Sequence, residues 1–224
     1  VGMSKATWGD DDDNGVLPWV EEKLDELGAE TPVLFDDSIE IDYEAVADTE
    51  PDVILAAYSG LSEEEYETLS KIAPVVAFPE VKWGTTVDQM VEMNSKALGL
   101  EAEGEALIED LHADAEAALE ENSVLKDKKV MFAFFDPTDL SQIGYYTAVD
   151  TRPGYLHDDL GLPLPSRVEE NADSKECYLS VGAEEAAKFD DVDVIATYGD
   201  DSLIATLQAD PLLSKIPAVA EGRI

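Results

Sequence analysis

The chain has 224 residues, 45% of them hydrophobic, enough for one large domain or two lobes with packed cores and too apolar for global disorder. With 52 acidic and 14 basic residues it carries a formal net charge of -38. That balance excludes nucleic acid, whose binding needs Lys and Arg to displace counterions, and an anionic lipid surface would repel it.

Val1-Gly2-Met3 reads as a strand remnant and Ser4 to Gly15 as a polar loop. Pro18 suits the first position of a helix, with a Val20, Leu24, Leu27 stripe that stops at Gly28. Val33 to Phe35 is a short strand and Tyr43 to Ala47 a brief helix. Val53 to Ala57 is a continuous apolar run, suited to a strand buried on both faces. Ser62 and Glu65 form a capping box that starts a helix, which ends before Pro74. Val75 to Phe78 is the next strand, and Thr85 or Thr86 caps a helix running to Gly99.

Gly104, Leu107, Ile108, Leu111, Ala115 and Leu119 recur at helical spacing, predicting a long helix over residues 100–123. The α/β rhythm then restarts. Val130 to Phe135 reads as a strand, Tyr145 to Val149 as extended, and Pro153 as the opening of a helix that Gly161 ends. Ala183 to Phe189 is a helix, Val192 to Thr197 a strand, and Ser202 caps a last helix. The fold class is therefore α/β: two lobes with mainly parallel sheets, at 1–99 and 124–224, joined by the single long helix.

One architectural phrase occurs twice. Glu50-Pro-Asp-Val-Ile-Leu-Ala-Ala-Tyr58 and Asp190-Asp-Val-Asp-Val-Ile-Ala-Thr-Tyr198 each run from an acidic turn through an apolar strand to a tyrosine. Strand ends of this kind hold ligands in open α/β sheets. Trp8, Trp83, Tyr145 and Tyr146 also fall near predicted edges, as does Ser59 beside Tyr58. Together they point to a pocket for a sizeable, partly apolar ligand. Arg152, one of three arginines, reads either as a hand for a carboxylate, hydroxamate or catecholate oxygen or as the partner of Asp150 at a helix start.

Catalytic sets are missing from the sequence. There is no Gly-x-Ser-x-Gly elbow and no glycine-rich phosphate loop. Cys177 stands alone beside Glu176 and reads as an incidental thiol; His112 and His157 read as surface or structural residues. Asp10 to Asp13 lacks the spacing of a helix–loop–helix calcium site and reads as a solvated loop. No metal ligand set stands out, and no enzyme activity is predicted.

The ordered set Glu50-Pro-Asp-Val-Ile-Leu-Ala-Ala-Tyr-Ser-Gly-Leu-Ser, Tyr66-x-x-Leu-Ser-Lys-Ile-Ala-Pro74-Val-Val, Asp150-Thr-Arg-Pro-Gly-Tyr-Leu156, Asp191-Val-Asp-Val-Ile195 and Ile216-Pro-Ala-Val-Ala-Glu-Gly-Arg223 resembles the substrate-binding proteins of ABC importers for iron-siderophores. That group also includes haem and cobalamin binders, which are the alternatives on the same fold; an acidic calcium-dependent interaction module is the alternative from another class. The resemblance implies capture of a ferric siderophore by Trp8, Tyr58, Ser59, Trp83, Tyr145, Tyr146, Arg152 and Tyr198, in a cleft between the lobes. The scarcity of arginine tilts the expectation toward a hydroxamate or mixed siderophore. The iron arrives already chelated, so no cofactor is expected. The resemblance also implies docking on an ABC permease through Glu64 and Glu185, a monomer, and a periplasmic or cell-surface lipoprotein. Both ends read as trimmed, with any lipid-bearing Cys upstream of Val1.

Overall fold

The computed structural model describes residues 1–7, 9–10 and 13–224. They form two compact units, Val1–Ala56 with Leu61–Ala77, and Ala57–Gly60 with Phe78–Ile224.

In the first unit β1 (Gly2–Ser4) pairs in parallel with β2 (Val33–Phe35), and β3 (Ile54–Ala56) with β4 (Val75–Ala77). Helix α1 (Pro18–Leu27) has proline at its first position and ends on Gly28, which takes the left-handed conformation (φ 60°) that glycine enters without a Cβ clash. Helix α2 (Tyr43–Asp48) is capped by Asp42, and α3 (Glu63–Leu69) by the expected box. In that box Ser62 N–H donates to Glu65 Oε2 at 2.7 Å and Glu65 N–H donates to Ser62 Oγ at 3.3 Å.

The second unit opens with α4 (Val87–Leu98), which Thr86 and Gln89 cap reciprocally. Helix α5 (Glu101–Glu121) is the predicted long helix, 21 residues in length. It lies close on α4 because Gly104 is buried there: a Cβ at that position would run into the Ser95 side chain. Four strands follow, β5 (Val130–Asp136), β6 (Asp139–Tyr146), β7 (Tyr178–Gly182) and β8 (Val194–Ala196), in the order β7-β6-β5-β8. β8 runs parallel to β5, whereas β6 is antiparallel to both of its neighbours. Three of the five strand pairings are thus parallel.

Several local readings change. The extended stretch expected from Tyr145 to Val149 is the end of β6, a long hairpin partner of β5. The helix expected from Pro153 starts earlier, as α6 (Thr151–Gly154) capped by Asp150, and relaxes into a π-helical turn over Tyr155–Asp159. Pro153 still sits in the first turn, where its missing N–H costs nothing. Between β6 and β7 comes α7 (Ser166–Glu169), and Ala183–Phe189 is wound as a tight 3₁₀ helix. Asp200, not Ser202, caps α8 (Asp201–Ala209): its carboxylate accepts from the Ser202 N–H at 2.8 Å and from the Ser202 hydroxyl. A last turn, α9 (Pro217–Ala220), covers the sheet's β8 side.

The core lies under this four-stranded sheet. Alternate residues Met131, Ala133 and Phe135 of β5 point inward with Ile143 and Tyr145 of β6 and Ile195 of β8. Phe189, Leu203, Leu207, Leu213 and Ile216 close over them. Each large side chain buried this way contributes roughly 1.5–3 kcal/mol. Among the described residues no helix is long and apolar enough to cross a membrane.

The acidic turn ahead of β8 is structural. Asp191 Oδ2 accepts from Lys129 Nζ at 2.6 Å and from the Ser166 N–H at 2.9 Å, tying the start of β5 to α7. Burial pushes the Asp191 carboxyl up, but the bonds from Lys129 and Ser166 outweigh it and hold the group below its ordinary value. A depressed carboxyl stabilises the fold above the unfolded-state value and loses that contribution as pH falls through the folded one. Acid titration should therefore cost the native chain more stability below about pH 4 than it costs Asp191→Asn, as read by urea midpoints across the acid range.

Candidate functional site

Both apolar strands appear, each followed by a tyrosine, but β3 is not buried on both faces as its continuous apolar run suggests: Leu55 is 43% exposed. Tyr58 and Tyr198 stand two residues beyond the ends of β3 and β8, respectively, and the two residues are 36% and 53% exposed. Beside them the hydroxyls of Ser59 and Thr197 are buried with no partner among the described residues. Two bonds from threonine side chains set the frame. Thr85, fully buried, donates its hydroxyl to Ala57 O at 2.6 Å, and Thr151 donates to Thr85 O at 2.7 Å. The backbone just before Tyr58, just after Trp83 and just before Arg152 is thereby held together.

Trp83 packs edge-on against Tyr58, with centroids 5.2 Å apart, and remains 48% exposed. Its backbone takes φ 61°, in the left-handed region that a bulky residue avoids, and its N–H donates to Ser59 O at 3.0 Å. Backbone strain of this kind collects at functional sites. Gly60 makes room for the ring: a Cβ there would collide with the Trp83 indole. Gly60→Ala should displace the indole from Tyr58 and change tryptophan emission while leaving far-UV circular dichroism unaltered; an unchanged emission spectrum would show that the ring does not rest there.

Arg152 is the polar centre. Its Nε and Nη2 meet the two oxygens of Asp150 at 2.7 Å each, and its backbone N–H donates to Asp150 Oδ1 at 3.0 Å. Asp150 is only 1% exposed, so helix cap and counter-ion are one buried carboxylate. Nη1 donates to the Tyr198 hydroxyl at 2.9 Å, and the guanidinium lies 3.7 Å above the Tyr146 ring. Tyr178 backs Tyr146 edge-on at 5.3 Å and lies across Gly144, where any Cβ would strike its hydroxyl. The Asp150 hydrogen bonds raise Arg152 further above its ordinary value, so it is a permanent cation. Burial, with Asp150 nearby, pushes the Tyr58 phenol up, so it stays protonated and able to donate.

Of the residues singled out by sequence, Tyr58, Ser59, Trp83, Tyr146, Arg152 and Tyr198 thus fall in one unit on a common frame. Trp8 lies outside the described residues. Tyr145 faces the other way: it is 1% exposed, stacks edge-on with Phe189, and its hydroxyl accepts from Asn171 Nδ2 at 3.3 Å. Successive strand residues point to opposite faces, so Tyr146 on the rim puts Tyr145 in the core. Glu64 is exposed in the first turn of α3. Glu185 is half-buried and paired with Lys188 at 2.7 Å and Arg167 at 3.5 Å. Cys177 donates its thiol to Lys82 O at 3.1 Å, and burial pushes the thiol up, away from the reactive thiolate. Sequence reasoning passed over Tyr178, read Thr85 only as a candidate cap and did not reach Asp150's full burial; the alternation of Tyr178-Leu-Ser-Val181 was the signal for the first.

The sequence profile of the family described as periplasmic binding protein matches residues 1–224. The chain belongs to the periplasmic binding protein family. Its members are components of transport systems rather than enzymes. Among solved structures, this binding protein is 45% identical to Streptococcus pneumoniae TIGR4 PiaA in complex with ferrichrome, covering 99% of this chain and 74% of that one at a TM-score of 0.92. A second structure of PiaA, described as an iron uptake ABC transporter substrate-binding protein, matches at 44% identity and 0.87 over 99% and 73%. Staphylococcus aureus SirA complexed with staphyloferrin B shares the fold at 19% identity and 0.70, over 95% and 73%. No curated protein matches the chain.

Proposed function

We propose that this periplasmic binding protein captures a ferric siderophore of hydroxamate or mixed type outside the cytoplasm and delivers it to an ABC importer permease. The observation that carries the reading is the exposed ring set of Tyr58, Trp83 and Tyr198 around an Arg152 whose charge Asp150 already cancels. Exposed aromatic rings on a fixed frame give contact area at little entropic cost. Three of the five guanidinium N–H groups are engaged, leaving two for a chelate oxygen. A trianionic tris-catecholate would meet almost no net positive charge here, in a chain of net charge -38. A neutral ferric trihydroxamate meets no such penalty. The ferrichrome held by the 45% identical relative agrees with this choice.

The chelate brings its own iron, and the protonated phenol of Tyr58 serves as a donor rather than a metal ligand. We place permease docking at Glu64 and Glu185. Glu65 is committed to the α3 capping box, which leaves exposed Glu64 the better candidate of that pair. We also take the protein to act as a monomer and to be held at the cell surface by a lipid anchor. Isothermal titration with ferrichrome and with a ferric tris-catecholate tests the ligand class. Binding of the hydroxamate at least a hundredfold tighter is expected; preference for the catecholate, or heat from neither, overturns it.

A further inference from the structure

Away from the aromatic site, α4, α5 and the π-helical turn bring three metal-ligating side chains to one point. His112 Nε2 lies 2.9 Å from Asp88 Oδ1 and 3.7 Å from Asp159 Oδ1. One ligand atom from each of the three falls within 4.8 Å of the others. The residues are separated widely in sequence, so folding alone assembles them.

We propose that Asp88, His112 and Asp159 form a binding site for a divalent transition cation, Zn²⁺ foremost, which pins the turn following Arg152 to α4 and α5. The spacing suits the ion. Zn–N and Zn–O bonds near 2.0–2.2 Å set the edge of a tetrahedral site at about 3.3 Å, and the observed separations of 2.9 and 3.7 Å straddle it. One imidazole with two carboxylates is a borderline-to-hard donor set that favours Zn²⁺ over Ca²⁺ or Mg²⁺, which prefer all-oxygen cages. A cavity of about 70 Å³ lies beside Asp159, lined also by Thr86, Val87, Tyr155 and Asp158, while Asp88 and His112 stand outside its lining.

The π-helical turn adds a reason for a ligand here, since such turns recur at functional sites. Arg152 and Asp159 belong to one continuous helical segment, Thr151–Asp159. A cation at its far end would hold that segment without touching the aromatic rings.

Titration of chelator-stripped protein with ZnCl₂, followed by calorimetry, tests the site. One saturable equivalent is expected, with His112→Gln and Asp159→Asn each weakening it at least tenfold and leaving far-UV circular dichroism unchanged. Because 52 acidic residues bind cations diffusely, Co²⁺ provides the second readout: the native protein should develop the intense visible bands of tetrahedral cobalt, and His112→Gln should not. Zn²⁺ heats equal in native and His112→Gln protein, or a cobalt spectrum like that of the hydrated ion, overturns the proposal. Neither result bears on siderophore binding, which uses other residues.

Discussion

Asp150→Ala should lower the melting temperature by about 6–12 °C, the equivalent of roughly 3 kcal/mol in a chain of this size. Two losses add. The α6 cap disappears, worth about 1 kcal/mol. Arg152 also keeps its charge but loses both oxygens of its one carboxylate partner, and stranding a buried ion costs about 3–5 kcal/mol. That figure is discounted because the Arg152 side chain is still 31% exposed. Asp150→Asn retains the cap acceptor and one partner for the guanidinium, so about half the loss is expected. Ferric-ligand affinity should fall in both variants, because Arg152 would no longer be held over Tyr146. A melting temperature within about 1 °C of the native value for Asp150→Ala would show that the pair is not the anchor of α6.

Trp83→Ala is the second large effect, and it separates binding from stability. The indole is half-exposed and rests mainly on Tyr58, so removing it should change stability little. Aromatic anchors at binding sites commonly carry 2 kcal/mol or more, so the affinity for a ferric hydroxamate should drop about 30- to 100-fold. Trp83→Phe should recover part of it. The strained backbone makes Trp83→Gly informative too: it should be slightly more stable than Trp83→Ala, by about 1 kcal/mol, because glycine takes φ 61° freely. Equal affinity in native and Trp83→Ala protein would remove Trp83 from the site.

Where the sequence was legible, a short-range rule governed the outcome. The Ser62–Glu65 and Thr86–Gln89 boxes, the Gly28 and Gly99 ends, and the helical spacing from Gly104 to Leu119 depend on neighbours within a turn or two, and each element appears where it was expected. The twin phrases were legible for the same reason, as apolar strands followed by a tyrosine. What failed was long-range. β6 was expected to start only at Tyr145, whereas it begins at Asp139, separated from β5 by two residues and too close for a crossover, so the antiparallel edge of the sheet was missed. The adjacent pair Tyr145-Tyr146 had to split between core and rim. Ile143, buried and in phase with Tyr145, holds the answer, but only once β6 is known to be a strand. Thr85 looked like one of two equivalent caps; the fold gives the cap to Thr86 and buries Thr85 as the tie to Ala57. His112 was read as a solvated surface residue and it is exposed; what lay out of reach was its contact with Asp88, which comes from another element.

On the proposed function, Arg152 and the rings of Tyr58, Trp83 and Tyr198 hold the chelate. A crystal structure of the protein grown with ferrichrome tests it most directly. The iron chelate is expected in van der Waals contact with Trp83 and Tyr198, with an Arg152 N–H on a hydroxamate oxygen and the Asp150 pair intact. A chelate seated elsewhere, with these side chains untouched, would contradict it.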